Sequence, residues 1–406
     1  MSEYISRNRY WGKIEPFIGK PVIKIITGMR RVGKSCFLKQ AINQLKDEGV
    51  VESNILFIDK DDIDFDFIQD YQILNSYIKE KSKKITGKKY LFIDEVQEIE
   101  KWEKVITSLH KKNDFDIYLT GSNAHLLSSE IATLISGRYI EIKIYPLSYS
   151  EFVLFQKDDF NSHEESFAKY IKYGGLPGIF HLEQNDETIY QYLSAVFDTI
   201  LFKDIIKRFN IRNVSLLEKI SNFLFDNIGN LITASSISKY LKSQRIKTYP
   251  DTVHNYLNYF INTYIAYKVS RYDLKGKRIL EINDKYYVND LGIRHSILNY
   301  KSDDISQNLE NIIYMELLFR GYKVNIGVFG EKEIDFIATK QNEKIYIQVT
   351  YLLASKETVE REFQPLLDIK DNYPKYVLSM DGDLWGNDYQ GIKRLNVIDF
   401  LTESFI

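Results

Sequence analysis

The chain has 406 residues, 44% of them hydrophobic, and a formal net charge of −2, so it can form several hydrophobic cores and is no polycation. No apolar run reaches membrane-spanning length and the amino-terminal segment is not apolar, so a cytoplasmic protein without a membrane partner is expected. The single cysteine, Cys36, excludes internal disulfides and cysteine zinc clusters, and its place on a predicted helix favours a buried apolar role.

The first motif lies between a predicted strand at 22–27 and a predicted helix that follows Ser35. Its sequence, GMRRVGKS, has the G-x-x-x-x-G-K-[ST] spacing of a phosphate-binding loop. Gly28 and Gly33 would allow the tight turn that points backbone N–H groups at phosphates. Lys34 would add a positive charge and Ser35 a hydroxyl for Mg²⁺; an ordinary glycine-containing turn is the alternative. The predicted nucleotide-binding residues are Gly28, Arg30, Arg31, Val32, Gly33, Lys34, Ser35 and Cys36.

Two later strands carry polar residues at their ends. The predicted strand at 90–94 ends in Asp94, and Glu95 follows it. Asp94 would hold Mg²⁺ through its water shell and Glu95 would orient the water that attacks the γ-phosphate, unless Asp94 only caps a helix. After the predicted strand at 116–121, Ser122 and Asn123 stand at the position where additional-strand ATPases place a polar sensor, although turn chemistry alone could explain Gly-Ser-Asn.

The predicted strands of the first part alternate with helical patterns, which indicates an α/β fold. These strands are 22–27, 53–59, 90–94, 116–121 and 139–145. Such an alternation predicts a parallel sheet with right-handed crossovers and a nucleotide at the carboxyl ends of the strands.

These motifs resemble those of the bacterial and archaeal AAA+ ATPases in which a P-loop domain is followed by a module of unknown function. The resemblance rests on GMRRVGKS, LFIDEVQ, LTGSN, SGRYIEIKIYPLSYSEF, YGGLP, EIDF and IQVT. It implies an AAA+ parallel-sheet core at 1–145, a helical lid at 146–210, ATP and Mg²⁺ as cofactors, and self-association as a candidate property. Within the lid, Gly175 and Pro177, with the neighbouring Gly174, would shape a helix start against the adenine base, unless the segment is an ordinary turn.

The resemblance also bears on Arg138, which lies just before the fifth predicted strand. It implies a charge-neutralising arginine that acts on the phosphate across a subunit boundary. A surface arginine that covers the edge of the sheet is the alternative, because sequence position does not show where a side chain points.

Residues 211–300 have the order of a winged-helix domain, three helices and then a hairpin. Thr233 and Asp251 are the expected N-caps of the second and third helices. A third helix in a major groove would make double-stranded DNA a partner. Its candidate contacts are Thr252, His254 and Asn255 for bases, and Lys242, Arg245, Lys247, Lys275, Lys277 and Arg278 for phosphates. Because these basic residues are few and winged helices also bind proteins, both kinds of partner stay open.

Residues 301–406 follow the helix and strand order of PD-(D/E)XK nucleases, which hold a divalent cation on adjacent strands beside a lysine. The corresponding positions are Glu310, Asp335 and Gln348 for the cation and Thr350 for the lysine, with Lys344 and Lys356 as candidate replacements. An amide in place of a carboxylate, and a threonine in place of the lysine, predict a nuclease-like α/β domain that is inert.

The function that we expect is Mg²⁺-dependent ATP hydrolysis, used as a switch or small machine that acts on the winged-helix and nuclease-like modules. The alternatives are an ATP-dependent DNA nuclease and a regulatory protein that holds nucleotide without turnover. Glu95 argues against the last alternative, because a protein that only binds nucleotide needs no residue to orient water.

Overall fold

The computed structural model describes residues 5–127, 135, 137–382 and 388–402. Two compact units make up the chain, Met1–Tyr145 with Asn262–Tyr264 and Pro146–Ile261 with Ile265–Ile406. Within the described ranges, no helix is both long and apolar enough to cross a lipid bilayer.

The first unit is built on a five-stranded parallel sheet of order β2-β3-β4-β1-β5. Its strands are β1 (Ile23–Thr27), β2 (Ile55–Asp59), β3 (Lys89–Asp94), β4 (Phe115–Gly121) and β5 (Tyr139–Lys143). Its α-helices within the described residues are α1 (Asn8–Ile14), α2 (Lys34–Asp47), α3 (Tyr71–Ser82) and α4 (Trp102–Lys112). The α/β class and the parallel sheet predicted for this part of the chain are confirmed.

The central strands of this sheet are buried from end to end, as in a parallel sheet that is covered on both faces. Every residue of β1 and β4 is buried. Lys24 on β1 is tolerated there because it forms a fully buried ion pair with Asp116 on β4. Since β3, β4 and β1 are neighbours and parallel, the residues that follow their carboxyl ends meet at one edge of the sheet.

The second unit combines helices with a nine-stranded sheet of order β13-β14-β12-β11-β10-β9-β7-β8-β6. The helices from residue 149 onward are α5 (Tyr149–Gln156), α6 (His163–Tyr173), α7 (Asp186–Thr199), α8 (Val214–Asp226), α9 (Ala234–Ser243), α10 (Pro250–Asn262), α11 (Leu291–Leu298), α12 (Ile305–Phe319), α13 (Lys356–Asp368) and α14 (Val397–Thr402). The strands are β6 (Leu231–Ile232), β7 (Ala266–Asp273), β8 (Arg278–Val288), β9 (Lys323–Phe329), β10 (Lys332–Lys340), β11 (Glu343–Val349), β12 (Lys375–Ser379), β13 (Asp388–Tyr389) and β14 (Ile392–Asn396).

One sheet runs through the two segments that the sequence divides at residue 300. β7 and β8 form an antiparallel hairpin, and β7 also pairs in parallel with β9, where Arg271 is opposite Ile326. The hairpin and the carboxy-terminal strands therefore share backbone hydrogen bonds as well as side-chain packing.

Three local predictions are decided by the structure. Thr233 caps α9 as expected, since its side chain accepts a hydrogen bond from the Ser236 N–H. The prediction that Asp251 caps the next helix is wrong, because α10 already begins at Pro250 and Asp251 lies in its first turn; the fixed φ of proline suits that first helical position. The apolar spacing at 196–209 predicts one amphipathic helix, and the segment is helical throughout, but it consists of the end of α7 followed by a π-helical segment, Ile200–Lys207.

Candidate functional site

The loop between β1 and α2 uses both of its glycines for their backbone freedom. Gly28 has φ 148°, and a Cβ atom there would lie 2.2 Å from the Ile144 carbonyl oxygen. Gly33 has φ 98° and directly precedes α2. Only glycine adopts the first conformation without a clash. The loop therefore turns tightly onto the start of a 14-residue helix, where backbone N–H groups and the helix dipole favour an anion.

The remaining loop residues differ in environment. Val32 is fully buried, and its carbonyl oxygen accepts a hydrogen bond of 3.1 Å from the Arg7 guanidinium. Arg30 is half-buried and Arg31 is exposed, with a left-handed φ of 69°. Cys36 is exposed, so its predicted apolar role in a core is wrong; the helix turns this position to the surface, while Phe37 and Leu38 fill the core.

Lys34 is buried at the start of α2 and points to the edge of the sheet. Its ammonium group donates a 3.2 Å hydrogen bond to the Met29 carbonyl oxygen. It also lies 3.6 Å from Oε1 of Glu95, with which it forms a buried ion pair. The structure thus brings the two residues together that the sequence assigns to the phosphate and to the attacking water.

Ser35 and Asp94, the two residues predicted to serve Mg²⁺, are in direct contact. The carboxylate of Asp94 accepts hydrogen bonds from the hydroxyls of Ser35 and Thr120. Burial raises the pKa of Asp94, and these two hydrogen bonds partly oppose the rise. Mg²⁺ keeps most of its waters when it binds a protein, so it needs only a few oxygen ligands from side chains. A hydroxyl and a carboxylate are suitable ligands of this kind.

Glu95 is held in an unusual backbone conformation directly after β3. Its φ and ψ are 50° and 51°, and its N–H donates a 2.9 Å hydrogen bond to the Thr120 hydroxyl. Burial alone would raise the pKa of Glu95, but Lys34, Gln97 and other polar neighbours outweigh it and lower the pKa. The side chain is therefore a carboxylate at neutral pH although it is almost fully buried.

The end of β4 supplies polar groups to the same edge. Asn123, the predicted sensor, is buried two residues after this strand. Ser122, predicted together with it, is buried beside it and hydrogen-bonds Glu95. Thr120 is also buried and contacts Asp94 and Glu95, a role that the sequence did not assign. A polar residue at the end of an otherwise apolar strand is the signal that could have identified it.

Arg138 lies at the opposite edge of the sheet. Its carbonyl oxygen accepts a hydrogen bond from the Ile23 N–H at the start of β1, whereas the phosphate-binding loop follows the end of that strand. Five residues of strand separate the two edges by roughly 16 Å. Arg138 therefore does not reach the phosphate-binding loop of its own chain, and its proposed action on a second subunit stays a prediction.

The YGGLP segment of the second unit docks on the start of α11. Asp290 caps this helix, and its carboxylate accepts a 2.7 Å hydrogen bond from the Gly175 N–H. A Cβ atom on Gly174 would lie 2.3 Å from the same carboxylate. Burial raises the pKa of Asp290 to about 6 despite the N–H groups around it. Pro177 starts a short 3₁₀ helix beside this contact. The contact with Asp290 accounts for Gly174, whereas at Gly175 a Cβ atom would lie 2.5 Å from the Leu147 carbonyl oxygen. An additional role at adenine stays a prediction.

The nuclease-like positions form an acidic centre around an unpredicted lysine. Lys285 on β8 is buried, and its ammonium lies 2.9 Å from Glu310 and 2.8 Å from Glu333. The Tyr287 hydroxyl donates a 2.5 Å hydrogen bond to Glu310. Burial and the charge of Glu310 raise the pKa of Asp335 well above its usual range, while Lys285 opposes the rise. Lys285 is thus the positive charge of this centre.

The other predicted members of that centre make ordinary protein contacts. Gln348 on β11 donates a 3.0 Å hydrogen bond to Glu362, and Thr350 is buried directly after the end of the same strand. Lys344 stacks over the Tyr346 ring at 4.8 Å and Lys356 lies exposed at the start of α13. Across the described part of the chain, no group of three or more His, Cys, Asp or Glu side chains is arranged to hold a metal ion.

Residues 20–153 match the family described as an AAA domain, and residues 164–304 match a domain of unknown function, DUF8612. An uncharacterised protein of Haemophilus influenzae is 38% identical over 98% of this chain and 99% of its own length. The chain therefore belongs to the same family of AAA-domain proteins as this relative. An uncharacterised protein of Methanocaldococcus jannaschii is 31% identical over 84% of this chain and 77% of its own length.

Two solved structures overlap this AAA-domain protein more loosely. ORC1 of Aeropyrum pernix, solved in complex with DNA, is 8% identical over 73% of this chain and 93% of its own, with a TM-score of 0.32. AMPPCP-bound DnaA of Aquifex aeolicus is 13% identical over 63% and 88%, with a TM-score of 0.34. An overlap this limited does not bear on function.

Proposed function

We propose that the first unit of this AAA-domain protein hydrolyses ATP with Mg²⁺ and acts as a switch for the second unit. The supporting observation is the convergence of Lys34, Ser35, Asp94 and Glu95 beside the glycine loop, through contacts that all lie within the same unit. A site that only bound nucleotide would not need a buried carboxylate next to the phosphate-binding lysine.

The roles follow from the charge and position of each group. The N–H groups of the loop and the ammonium of Lys34 would bind the β- and γ-phosphates. Ser35 and Asp94 would hold Mg²⁺, which when bound neutralises phosphate charge. Glu95 would accept a hydrogen bond from the attacking water, and its lowered pKa keeps it able to do so at neutral pH.

The test of this proposal measures phosphate release and nucleotide affinity, for the purified protein and for its Lys34→Ala variant. We expect Mg²⁺-dependent release by the wild-type protein and a loss of nucleotide affinity of about 100-fold in the variant, since a charged hydrogen bond to phosphate is removed. Lys39→Ala is the matched control, because Lys39 lies on the same helix and pairs with Asp59. Equal affinity of the Lys34 variant and the wild-type protein would contradict the assignment.

Exposed basic side chains in the segment 211–300 favour double-stranded DNA as a partner of the second unit. Residues 211–300 have the winged-helix order, and on α10 the side chains of His254 and Asn255 are exposed. Six basic side chains of the same segment are exposed and, among the described residues, form no ion pair: Lys242, Arg245, Lys247, Lys275, Lys277 and Arg278. Such residues are available to phosphate oxygens.

The second unit is expected to bind this DNA without cutting it. A neutral Gln348 is a poor ligand for a hard cation, and Lys285 already pairs with the carboxylates. Linear, supercoiled and four-way-junction DNA should remain intact with Mg²⁺ or Mn²⁺, while binding weakens as salt is raised and in a Lys242→Glu/Arg245→Glu variant. Cleavage that is lost in Asp335→Ala but kept in Lys34→Ala would establish a nuclease instead.

A further inference from the structure

The residue directly after β3 has a strained backbone, and the strain shapes the turn that comes next. The backbone of Glu95 lies in the left-handed region of φ and ψ. Residues other than glycine rarely adopt this region, and they keep it only where the surrounding structure enforces it. The Thr120 hydroxyl and the fully buried side chain of Val96 fix the backbone on both sides of the turn. A 3₁₀ turn, Val96–Glu98, then brings Gln97 back alongside the Glu95 side chain.

Gln97 contacts the carboxylate directly. Its amide nitrogen donates a hydrogen bond to Oε2 of Glu95 and lies 3.5 Å from the Ser122 hydroxyl. Its carbonyl oxygen is buried and accepts no hydrogen bond within the described structure. A reversed amide would turn this oxygen toward the carboxylate and repel it, so only the donating orientation is compatible with the charge of Glu95.

Gly121 provides the space for this amide. A Cβ atom at Gly121 would lie 2.7 Å from the Gln97 carbonyl oxygen. Gly121 is the last residue of β4 and does not have a positive φ, so its backbone conformation does not require glycine. A Cβ atom would also lie 2.9 Å from Leu126 Cδ2, so the ends of both side chains would have to shift, and glycine leaves room for the amide in its observed position.

The two carboxylate oxygens of Glu95 have different partners. Oε1 faces Lys34 at 3.6 Å, whereas Oε2 accepts the hydrogen bond from Gln97. Lys34 is also the group that would turn to a phosphate, because a phosphate carries more negative charge than one carboxylate. Gln97 then continues to hold Glu95 while nucleotide is bound, together with the Ser122 hydroxyl.

We propose that Gln97 is a positioning residue that fixes the carboxylate of Glu95 relative to Ser122 at the end of β4. The inference rests on the proposed ATP hydrolysis and adds to it the residue that orients the water-activating group. Gln97 does not touch nucleotide in this assignment, so its effect falls on turnover rather than on binding.

The test is the steady-state kinetics of Gln97→Met, which keeps the length of the side chain and removes the amide. We expect kcat to fall roughly 10- to 100-fold because the carboxylate is no longer aligned, while nucleotide affinity stays unchanged. The acidic limb of the kcat profile should also move to higher pH, because loss of the hydrogen bond to the charged form raises the pKa of Glu95. A merely structural residue would leave that limb in place.

Two further variants complete the experiment. Gln97→Glu has the same shape but places a negative charge against Glu95, so the acidic limb should move further in the same direction. Gln44→Met is the matched control, because the Gln44 side chain is exposed on α2 and pairs only with Glu48 among the described residues. Its kinetics should be those of the wild-type protein.

The outcomes separate this inference from the proposed hydrolysis. Wild-type turnover and an unmoved acidic limb in Gln97→Met would overturn the positioning role while hydrolysis itself stands. A loss of nucleotide affinity with unchanged kcat would also overturn it. If Glu95→Gln hydrolyses ATP like the wild-type protein, the proposed function fails, and it fails independently of Gln97.

Discussion

Glu95→Gln is expected to bind ATP at least as well as the wild-type protein and to lose hydrolysis by about 10²–10⁴-fold. The amide keeps the size of the side chain, but its neutral carbonyl oxygen is a weaker acceptor than a carboxylate and cannot take a proton from the attacking water. The same change removes the negative charge that lies 3.6 Å from the Lys34 ammonium, so that Lys34 is freer to bind phosphate. Retained affinity with lost turnover is therefore the expected pair of results.

The measurement combines nucleotide titration with phosphate release at saturating ATP. Glu98→Gln is the matched control, because Glu98 lies in the same 3₁₀ turn and its side chain is exposed. That control should hydrolyse ATP at the wild-type rate. Undiminished phosphate release by Glu95→Gln would remove the residue from the catalytic assignment.

Lys285→Met is expected to destabilise the second unit by about 3–5 kcal/mol, the usual cost of breaking a buried ion pair from one side. The variant leaves Glu310 and the buried Asp335 without their positive partner, since Lys285 lies 2.9 Å from Glu310 and opposes the raised pKa of Asp335. Differential scanning calorimetry should show a melting temperature lower by roughly 10 °C.

The pH dependence identifies the cause of that loss. Without Lys285 the pKa of Asp335 in the folded state lies still further above its value in the unfolded state, so the folded state binds more protons and its stability falls as pH rises. Acidification should therefore restore part of the melting temperature. Lys268→Met is the control, because its ion pair with Asp284 is more exposed and should contribute less than about 1 kcal/mol. Equal stability of both variants would refute the central role of Lys285.

Local sequence was sufficient for the parts of the site that are contiguous in the chain. GMRRVGKS lies between an apolar strand and a helix, and that order alone predicts a loop at a helix start. Asp94 and Glu95 follow a buried strand, and parallel strands end at the same edge, so their meeting with Lys34 and Ser35 could be expected. The α/β class follows from the same alternation of strand and helix patterns.

Contacts between distant segments were decided by the tertiary structure. Lys285 reaches Glu310 because α12 packs against β8, and it reaches Glu333 because α12 packs against β10 as well, which no spacing in the chain reveals. Gly174 lies against the Asp290 carboxylate, more than a hundred residues away in the chain, so the reason for that glycine was invisible in its own motif. In each case the charge or the small side chain is explained only by a partner from another segment.

The sequence by itself therefore determined the phosphate-binding loop, the acidic strand end and the parallel sheet, because each depends on neighbours along the chain. Only the tertiary structure decided which side chain holds the Glu95 carboxylate, since the Gln97 contact depends on a left-handed residue and on the space beside Gly121. It also decided that Arg138 stands at the far edge of the sheet. Backbone conformation and strand direction fix these positions, and residue spacing does not encode either of them.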